Sequence, residues 1–550
     1  MTTDRVLVVG AGPVGLATAC DLLGRGVPVR MVDMTEAPTD RSKALAIHAR
    51  TLEALDSMGL VERFLAVGRK LHGVNAYADG KRIVHVDLHD VDSPFAFVLS
   101  LPQSESERLL AERLVELGGR VERGVKLTAL AQDADGVNVT LAHPGGRQEE
   151  ARVAWVVGCD GAHSAVRKAL RLPFEGIPYE EAFVLADLCI AWSLPEDETH
   201  AFLSPGGVIV ALPLPGEGRW RLISDVGIAE PSIDDFARLL RERGAPEAKL
   251  SDGGWMTPFR IHRRIVPHYR VGRAFVAGDA AHIHSPVGGQ GMNTGIQDGL
   301  NLAWKLALVE SGAARPELLD SYDAERRPVA ASTLFATDLA TRAVTLRNPI
   351  AREVRNRLAM VISGLEVVQK RLLAQASEIA IGYRDSPIVD EHRAPVVRAT
   401  VGKRVGELPT LTDWLDFGGA PHPGDRAPDV VSDDGTSLFA LLRHPRSTLL
   451  LFDGSAATPE GYANLAAIAR KVHERWGNHV ESWIVVPRKD RPPELAGEER
   501  VLLDVRGVMH HRYGAGSECL YLVRPDGYVG FRSQPASSRA LEEHLGMIYA

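Results

Sequence analysis

The run VLVVGAGPVG, residues 6–15, constrains this chain more than any other stretch. Four consecutive apolar residues, Val6 to Val9, read as a central parallel strand buried on both faces. Gly10, Gly12 and Gly15 follow with G-x-G-x-x-G spacing and open a helix through Pro13 and Val14. In such a turn the first glycine permits the sharp bend and the second lets the backbone approach a pyrophosphate. The third lets helix and strand pack closely. The helix N-terminus then offers unpaired N–H groups and a partial positive charge to phosphate. A second strand, VPVRMVD, ends at Asp33, 23 residues after Gly10, where an acid is expected to hold a ribose hydroxyl. A dinucleotide site follows. NAD, NADP and FAD all carry adenosine pyrophosphate, so this turn does not choose among them.

The 550 residues allow several domains with ample core, and 45% hydrophobic with 24% charged residues is the make-up of an ordinary globular protein. A formal charge of −8 gives no reason to expect nucleic acid or an anionic membrane as partner. No apolar run approaches the ~18 residues of a membrane span, and the first strand begins by residue 6, so a cytoplasmic enzyme is expected. Cys20, Cys159, Cys189 and Cys519 lack C-x-x-C spacing, which disfavours a disulfide scaffold or structural zinc. The His-containing stretches HIH (282–284) and HVDLHD (85–90) do not supply the three or four converging ligands of a metal site, and no metal is expected.

Along the chain the strand–helix–strand start gives way, from about 72 to 102, to period-two segments, RIVHVDL and FAFVLS, expected to be strands of a separate sheet. SESERLLAERLVELGG (104–119) is an amphipathic helix with a Gly-Gly stop. Residues 174–260 are strand-rich, α/β character returns at RAFVAGDAAH, and mostly helical sequence fills 320–382. The fold is therefore expected to be α/β. A nucleotide domain (1–71, 103–173, 261–385, with a helical extension) is interrupted by a sheet domain (72–102, 174–260) and followed by a third α/β domain (386–550).

Two later motifs address the choice of dinucleotide. VVGCDGAHSAVR (156–167) sets Asp160-Gly161 at the end of an apolar strand, and RAFVAGDAAHIHSPVGGQGMN (273–293) sets Gly278-Asp279 at the end of another. A strand-end carboxylate suits a polyol, and Gly288, Gly289 and Gly291 expose backbone N–H groups just before a long helix, where negative charge is stabilised. A flavin, with its ribityl chain and an edge that turns anionic on reduction, needs both features. NAD needs neither.

These motifs, with DRSKALAIHARTLE (40–53) and LPQSESERLL (101–110), resemble those of the class A flavin-dependent aromatic hydroxylases, the 4-hydroxybenzoate hydroxylase-like family, in order and spacing over about residues 4–385. The resemblance implies a Rossmann-like FAD-binding domain, a β-sheet substrate domain and non-covalent FAD. It also implies NADPH or NADH as transient reductant, and hydroxylation of a phenolic or polyketide-type aromatic with O2 through a C4a-hydroperoxyflavin. By position it implies that Asp33, where the family more often has Glu, holds the adenosine ribose. Arg41 and Gln103 would contact the pyrophosphate and ribityl regions, Leu127 the adenine, and Asp279 the ribityl chain. Pro286, Gly289, Gly291, Met292 and Asn293 would border the isoalloxazine, while Gly278 and Asp160 belong to the shared motifs. His48 falls near this site, but a backbone-bonding histidine is an equal reading and no catalytic side chain is assigned. Same-fold oxidation, epoxidation or Baeyer–Villiger insertion, and a non-catalytic flavin protein, are the alternatives.

GDRAPD and the strand–helix–strand–hairpin–helix order of the tail resemble the thioredoxin-like domain appended to phenol and polyketide hydroxylases of this family. A working thioredoxin needs C-x-x-C after its first long strand. Here that stretch reads FDGSAATPE, so a packing or homodimer module is expected rather than a redox one. The basic run FRIHRRIVPHYRVGR (259–273) is read as a solvated face ahead of recruitment of NAD(P)H phosphates.

Overall fold

The computed structural model describes residues 5–39, 44–78, 80–285, 288–344, 369, 373–394, 409–433, 435–454 and 459–550. Contacts divide the chain into two compact units. The first comprises Met1–Leu52, Leu60–Ala303 and Arg326–Ile379; the second comprises Glu53–Gly59, Trp304–Glu325 and Ala380–Ala550.

The first unit is built on a six-stranded sheet in the order Arg270–Val271, Ala274–Val276, Trp155–Gly158, Val6–Val9, Val29–Asp33, Val121–Arg123. All its pairings are parallel except the edge hairpin at 270–276. The Val6–Val9 strand is buried along its whole length, as the apolar run requires. Register matters most here. Val276, Gly158, Val9 and Val32 lie in one row across adjacent strands, so the residues that follow them leave the sheet at the same carboxyl edge.

A nine-stranded sheet, largely antiparallel, joins Gly73–Ala78 and Lys81–Asp87 to strands drawn from 175–283. Along its strands, side chains alternate between faces. One set (Val184, Ala186, Leu188, Ile190, Trp220, Leu222) packs with Phe236, Leu239 and Leu240 of the helix Ile233–Glu242. RIVHVDL lies in this sheet as expected. FAFVLS does not: only Val98–Ser100 is strand, and it pairs with Ala46–Ile47 and Arg69–Leu71 in a separate three-stranded sheet. Alternation reports a half-buried strand but not its partner, which explains the difference.

The second unit has a six-stranded mixed sheet in the order Asp390–Arg393, Val529–Gln534, Cys519–Val523, Ser447–Phe452, Val480–Val486, Val501–Leu503. Leu449 and Leu451 pack with residues of the helices Pro459–Trp476 and Ser538–Ile548, while Leu450 and Phe452 pack with Phe417, Met509 and Tyr513 on the other face. Cys519 sits opposite Phe452, fully buried, and burial raises its thiol well above the ordinary range, which disfavours the reactive thiolate. Among the described residues no helix is long and apolar enough to cross a membrane.

Candidate cofactor and active site

The site assembles at the shared carboxyl edge, where open parallel sheets receive ligands. Gly10 turns with φ +102°, and a Cβ there would lie 2.4 Å from the Cys159 carbonyl oxygen. A Cβ on Gly15 would lie 2.0 Å from the Gly10 oxygen, so both positions exclude any side chain. Gly12 is different: among the described residues nothing meets its missing Cβ, and no side chain caps the helix Pro13–Gly24 that it precedes. The sequence thus leaves a helix N-terminus free for an anionic ligand.

Asp33 ends the neighbouring strand and turns its carboxylate onto this bend, accepting from Ala11 N–H at 2.6 Å and Thr35 N–H at 2.7 Å. Gln103 opens the helix Gln103–Glu116 and donates to Glu107 at 2.8 Å. Burial raises the Glu107 carboxyl, with Asp33 adding to the rise and Arg123 opposing it, so these side chains form one electrostatic group. Leu127 is buried on Lys126–Gln132, across from Leu141. Arg41 and Pro286 lie outside the described residues.

Asp160 closes the second strand end and caps the short helix that follows, accepting from Ser164 Oγ at 2.5 Å and Ala165 N–H at 2.6 Å. Burial raises its carboxyl above the usual range. Arg167 then donates to the Ala162 and Ala280 carbonyls at 2.8 and 3.0 Å, linking the second motif to the third. At the third strand end Gly278 has φ +58°, and a Cβ there would meet Val14 at 2.8 Å. Val14 is therefore the spacer between the first and third motifs. Asp279 itself is exposed.

Behind Gly278 lies a buried group the sequence reading missed. Asp298 accepts from Gly278 N–H at 3.1 Å, from His282 at 2.8 Å and from Arg326 at 2.7 Å, and all three side chains are at most 1% exposed. Burial pushes the Asp298 carboxyl up, but Arg326 and His282 more than offset it and hold it low. A lone carboxylate on a helix that also carries Ile296, Leu300, Leu302 and Trp304 is the available signal.

The helix Gly291–Glu310 begins beside this group. Met292 and Asn293 are buried in its first turn. The Asn293 side chain accepts from His48 N–H at 2.9 Å and donates to the Ala46 and Gly289 carbonyls, both at 2.9 Å. The His48 Nε2 bonds the Gly288 carbonyl at 2.8 Å, and burial lowers its pKa to about 4, so it is a neutral imidazole serving the backbone. Gly289 needs its bare Cα, since a Cβ would lie 2.9 Å from the Ala46 Cβ.

An open glycine cradle, an uncapped helix, and carboxylates at three strand ends fit a flavin dinucleotide. A family model described as FAD binding domain matches residues 3–337, and one described as Aromatic-ring hydroxylase, C-terminal, matches residues 420–549. The chain belongs to the FAD-binding aromatic-ring hydroxylases. The hydroxylase is 37% identical over 559 residues to the 6-methylpretetramide 4-monooxygenase of Streptomyces rimosus, covering 99% of this chain and 93% of that one. It is 32% identical to the pentachlorophenol 4-monooxygenase of Sphingobium chlorophenolicum, covering 96% and 93%. Among solved structures it resembles the anhydrotetracycline hydroxylase of S. rimosus (TM-score 0.72, 31% identity, 99% of each chain covered). It also resembles aklavinone-11 hydroxylase in complex with FAD and aklavinone (TM-score 0.76, 25% identity, 99% of each covered). FAD is its cofactor, and the enzyme is a flavin-dependent aromatic monooxygenase.

Proposed function

We propose that the hydroxylase places one atom of O2 on a phenolic, polyketide-type aromatic ring, with NADPH or NADH as a transient reductant. The common register row of the three motif strands and the Asp33 strand is the observation that carries this reading. Bound FAD supplies the electron transfer and the oxygen activation. The chain's own residues bind and orient. The Gly10–Gly15 turn receives the pyrophosphate, Asp33 the ribose, Arg41 and Gln103 the pyrophosphate and ribityl regions, and Leu127 the adenine. Asp279 holds the ribityl chain, with the Asp298 group fixing the Gly278 backbone behind it. Residues 286–293 border the ring system, where the helix from Gly291 favours negative charge. A polyketide-type ring is favoured because relatives covering nearly the whole chain are named for 6-methylpretetramide and anhydrotetracycline.

Labelled dioxygen with mass detection tests the reading. One labelled atom is expected in the product, with FAD released on denaturation. Label arriving only from water, or product formed without oxygen, overturns it in favour of an oxidase.

The reductant's diphosphate has a candidate partner. Arg167 and Arg264 carry their guanidinium groups 3.8 and 5.8 Å from the Phe174 ring centre, and among the described residues the Arg264 Nε has no hydrogen-bond partner. Arg167 is buried and held by the Ala162 and Ala280 carbonyls, so the half-exposed Arg264 is the member of this pair suited to meet a diphosphate, which favours recruitment for this part of the 259–273 run. Arg264→Ala is expected to raise KM for NAD(P)H about tenfold or more, the loss of a charge-assisted bond, while FAD is retained. Steady-state titration of reductant checks it; an unchanged KM removes Arg264 from the reductant path.

A further inference from the structure

A line of hydrogen bonds and strand pairings runs from the nine-stranded sheet to the first turn of the helix that begins at Gly291. It starts where the strand Gly207–Pro213 ends. There Ser100 Oγ donates to the Pro213 carbonyl at 2.5 Å, and Arg69 donates from Nε to Leu214 O at 2.9 Å and from Nη2 to Gly216 O at 2.7 Å. Ser100 is fully buried and stands in register with both Arg69 and Ala46 in the small three-stranded sheet. The Ala46 carbonyl accepts from Asn293, His48 N–H donates back to the Asn293 side chain, and the His48 ring holds Gly288 O. Ser100, Pro213, His48 and Asn293 are buried, so water competes little for the bonds between them, while Ala46 is half-buried and Gly288, at the far end, is exposed.

The far end is built to respond. Gly288 and Gly289 have φ of +85° and +67°, conformations that glycine leaves without strain. The Gly289 Cα sits so close to Ala46 that a Cβ would be 2.9 Å from the Ala46 Cβ. The Asn293 amide donates to both the Ala46 and the Gly289 carbonyls at 2.9 Å, so a shift of Ala46 is passed to the turn through that side chain.

We propose that Ser100 and His48 are positioning residues of a strap through which a ligand seated on the nine-stranded sheet sets the place of the 288–293 turn. This rests on the reading that the sheet receives the aromatic substrate and the turn borders the flavin. A ligand shifts such an equilibrium only by its differential affinity for the two arrangements, so cutting the strap uncouples the two ends without removing either.

The test uses the FAD-loaded full chain. Ser100→Ala removes the Pro213 link, and His48→Ala cuts the other end. Ser224→Ala deletes an equally buried hydroxyl bond in the same sheet, Ser224 Oγ to Val208 O at 2.8 Å, away from the line. In hydrogen–deuterium exchange, amides 288–294 are expected to exchange about two- to tenfold faster in Ser100→Ala and His48→Ala, the range of one lost hydrogen bond. They are expected to stay at the wild-type rate in Ser224→Ala. Unchanged exchange at 288–294 in both strap variants overturns the strap whatever the activity. In parallel, NAD(P)H oxidation is measured with and without anhydrotetracycline or pentachlorophenol. The ratio is expected to fall toward one in Ser100→Ala, with Ser224→Ala keeping the wild-type ratio. An undiminished ratio in a Ser100→Ala protein that the probe stimulates overturns the coupling. A wild-type protein that holds no FAD and consumes no NAD(P)H overturns the functional reading instead, and the exchange result still judges the strap.

Discussion

Replacing Glu325 with alanine is expected to destabilise the second unit by about 3–5 kcal/mol, the effect of removing one partner from a buried ion pair. Glu325 is 2% exposed and uses both carboxylate oxygens. One accepts from Lys305 at 2.8 Å and Arg524 at 2.9 Å, the other from Arg524 at 2.7 Å and Ser386 at 2.6 Å. Without it, Lys305 stays buried without this counter-charge, and Arg524 keeps Asp526. Burial already lowers the Lys305 ammonium to about 8, with Glu325 opposing that fall, so the alanine variant should drive it lower still. A drop in thermal midpoint of about 6–20 °C is expected. The double variant Glu325→Met with Lys305→Met should recover much of the loss, since it removes both charges together. A single variant that melts with the wild type would show that the group contributes nothing net.

The second large effect is on pH dependence. Glu378 is 3% exposed, sits at φ +62°, and accepts from Gln297 at 2.6 Å. Burial raises its carboxyl to about 8, against the opposing pull of Gln297, Arg326 and Arg50 and with Asp298 adding to the rise. Its folded-state pKa lies above the ordinary carboxylate value, so the folded state binds the extra proton between roughly pH 4.5 and 8. Its contribution is complete below that window and is lost as pH rises through it. The histidines His48, His284 and His544, each lowered to about 4 chiefly by desolvation, work in the opposite sense: stability falls as pH drops from about 6.5 toward 4. Glu378→Gln keeps the shape and removes the titration. Denaturant unfolding from pH 5.5 to 8.5 should show a shallower alkaline decline in the variant, with a difference in slope of up to about 1.4 kcal/mol per pH unit. Parallel slopes would mean that Glu378 is already ionised in the folded state.

Much of the site is legible in the chain because its demands are local. Gly10 and Gly15 are read as obligatory from spacing, and the backbone confirms it through approaches of 2.4 and 2.0 Å that no side chain tolerates. The strand-end acids announce themselves by following apolar runs. Other roles are visible only when distant segments meet. Asp160 reads as part of a shared cofactor motif, yet its observed bonds cap its own helix. Val14 reads as part of the phosphate turn, yet it spaces Gly278 and Gly295. His48, 240 residues from Gly288, shows no sign in sequence of bonding that carbonyl.

Spacing along the chain therefore decides where the backbone bends, which helix ends are left uncapped, and which acids stand beyond a strand, since these depend on a few successive φ and ψ angles. Tertiary structure alone decides that Val276, Gly158, Val9 and Val32 share a row, that FAFVLS supplies the small sheet rather than the large one, and that Asp298, His282 and Arg326 close behind Gly278. Those outcomes depend on the register and packing of segments up to hundreds of residues apart. A period-two pattern shows that a strand has a buried face, but not which partner buries it.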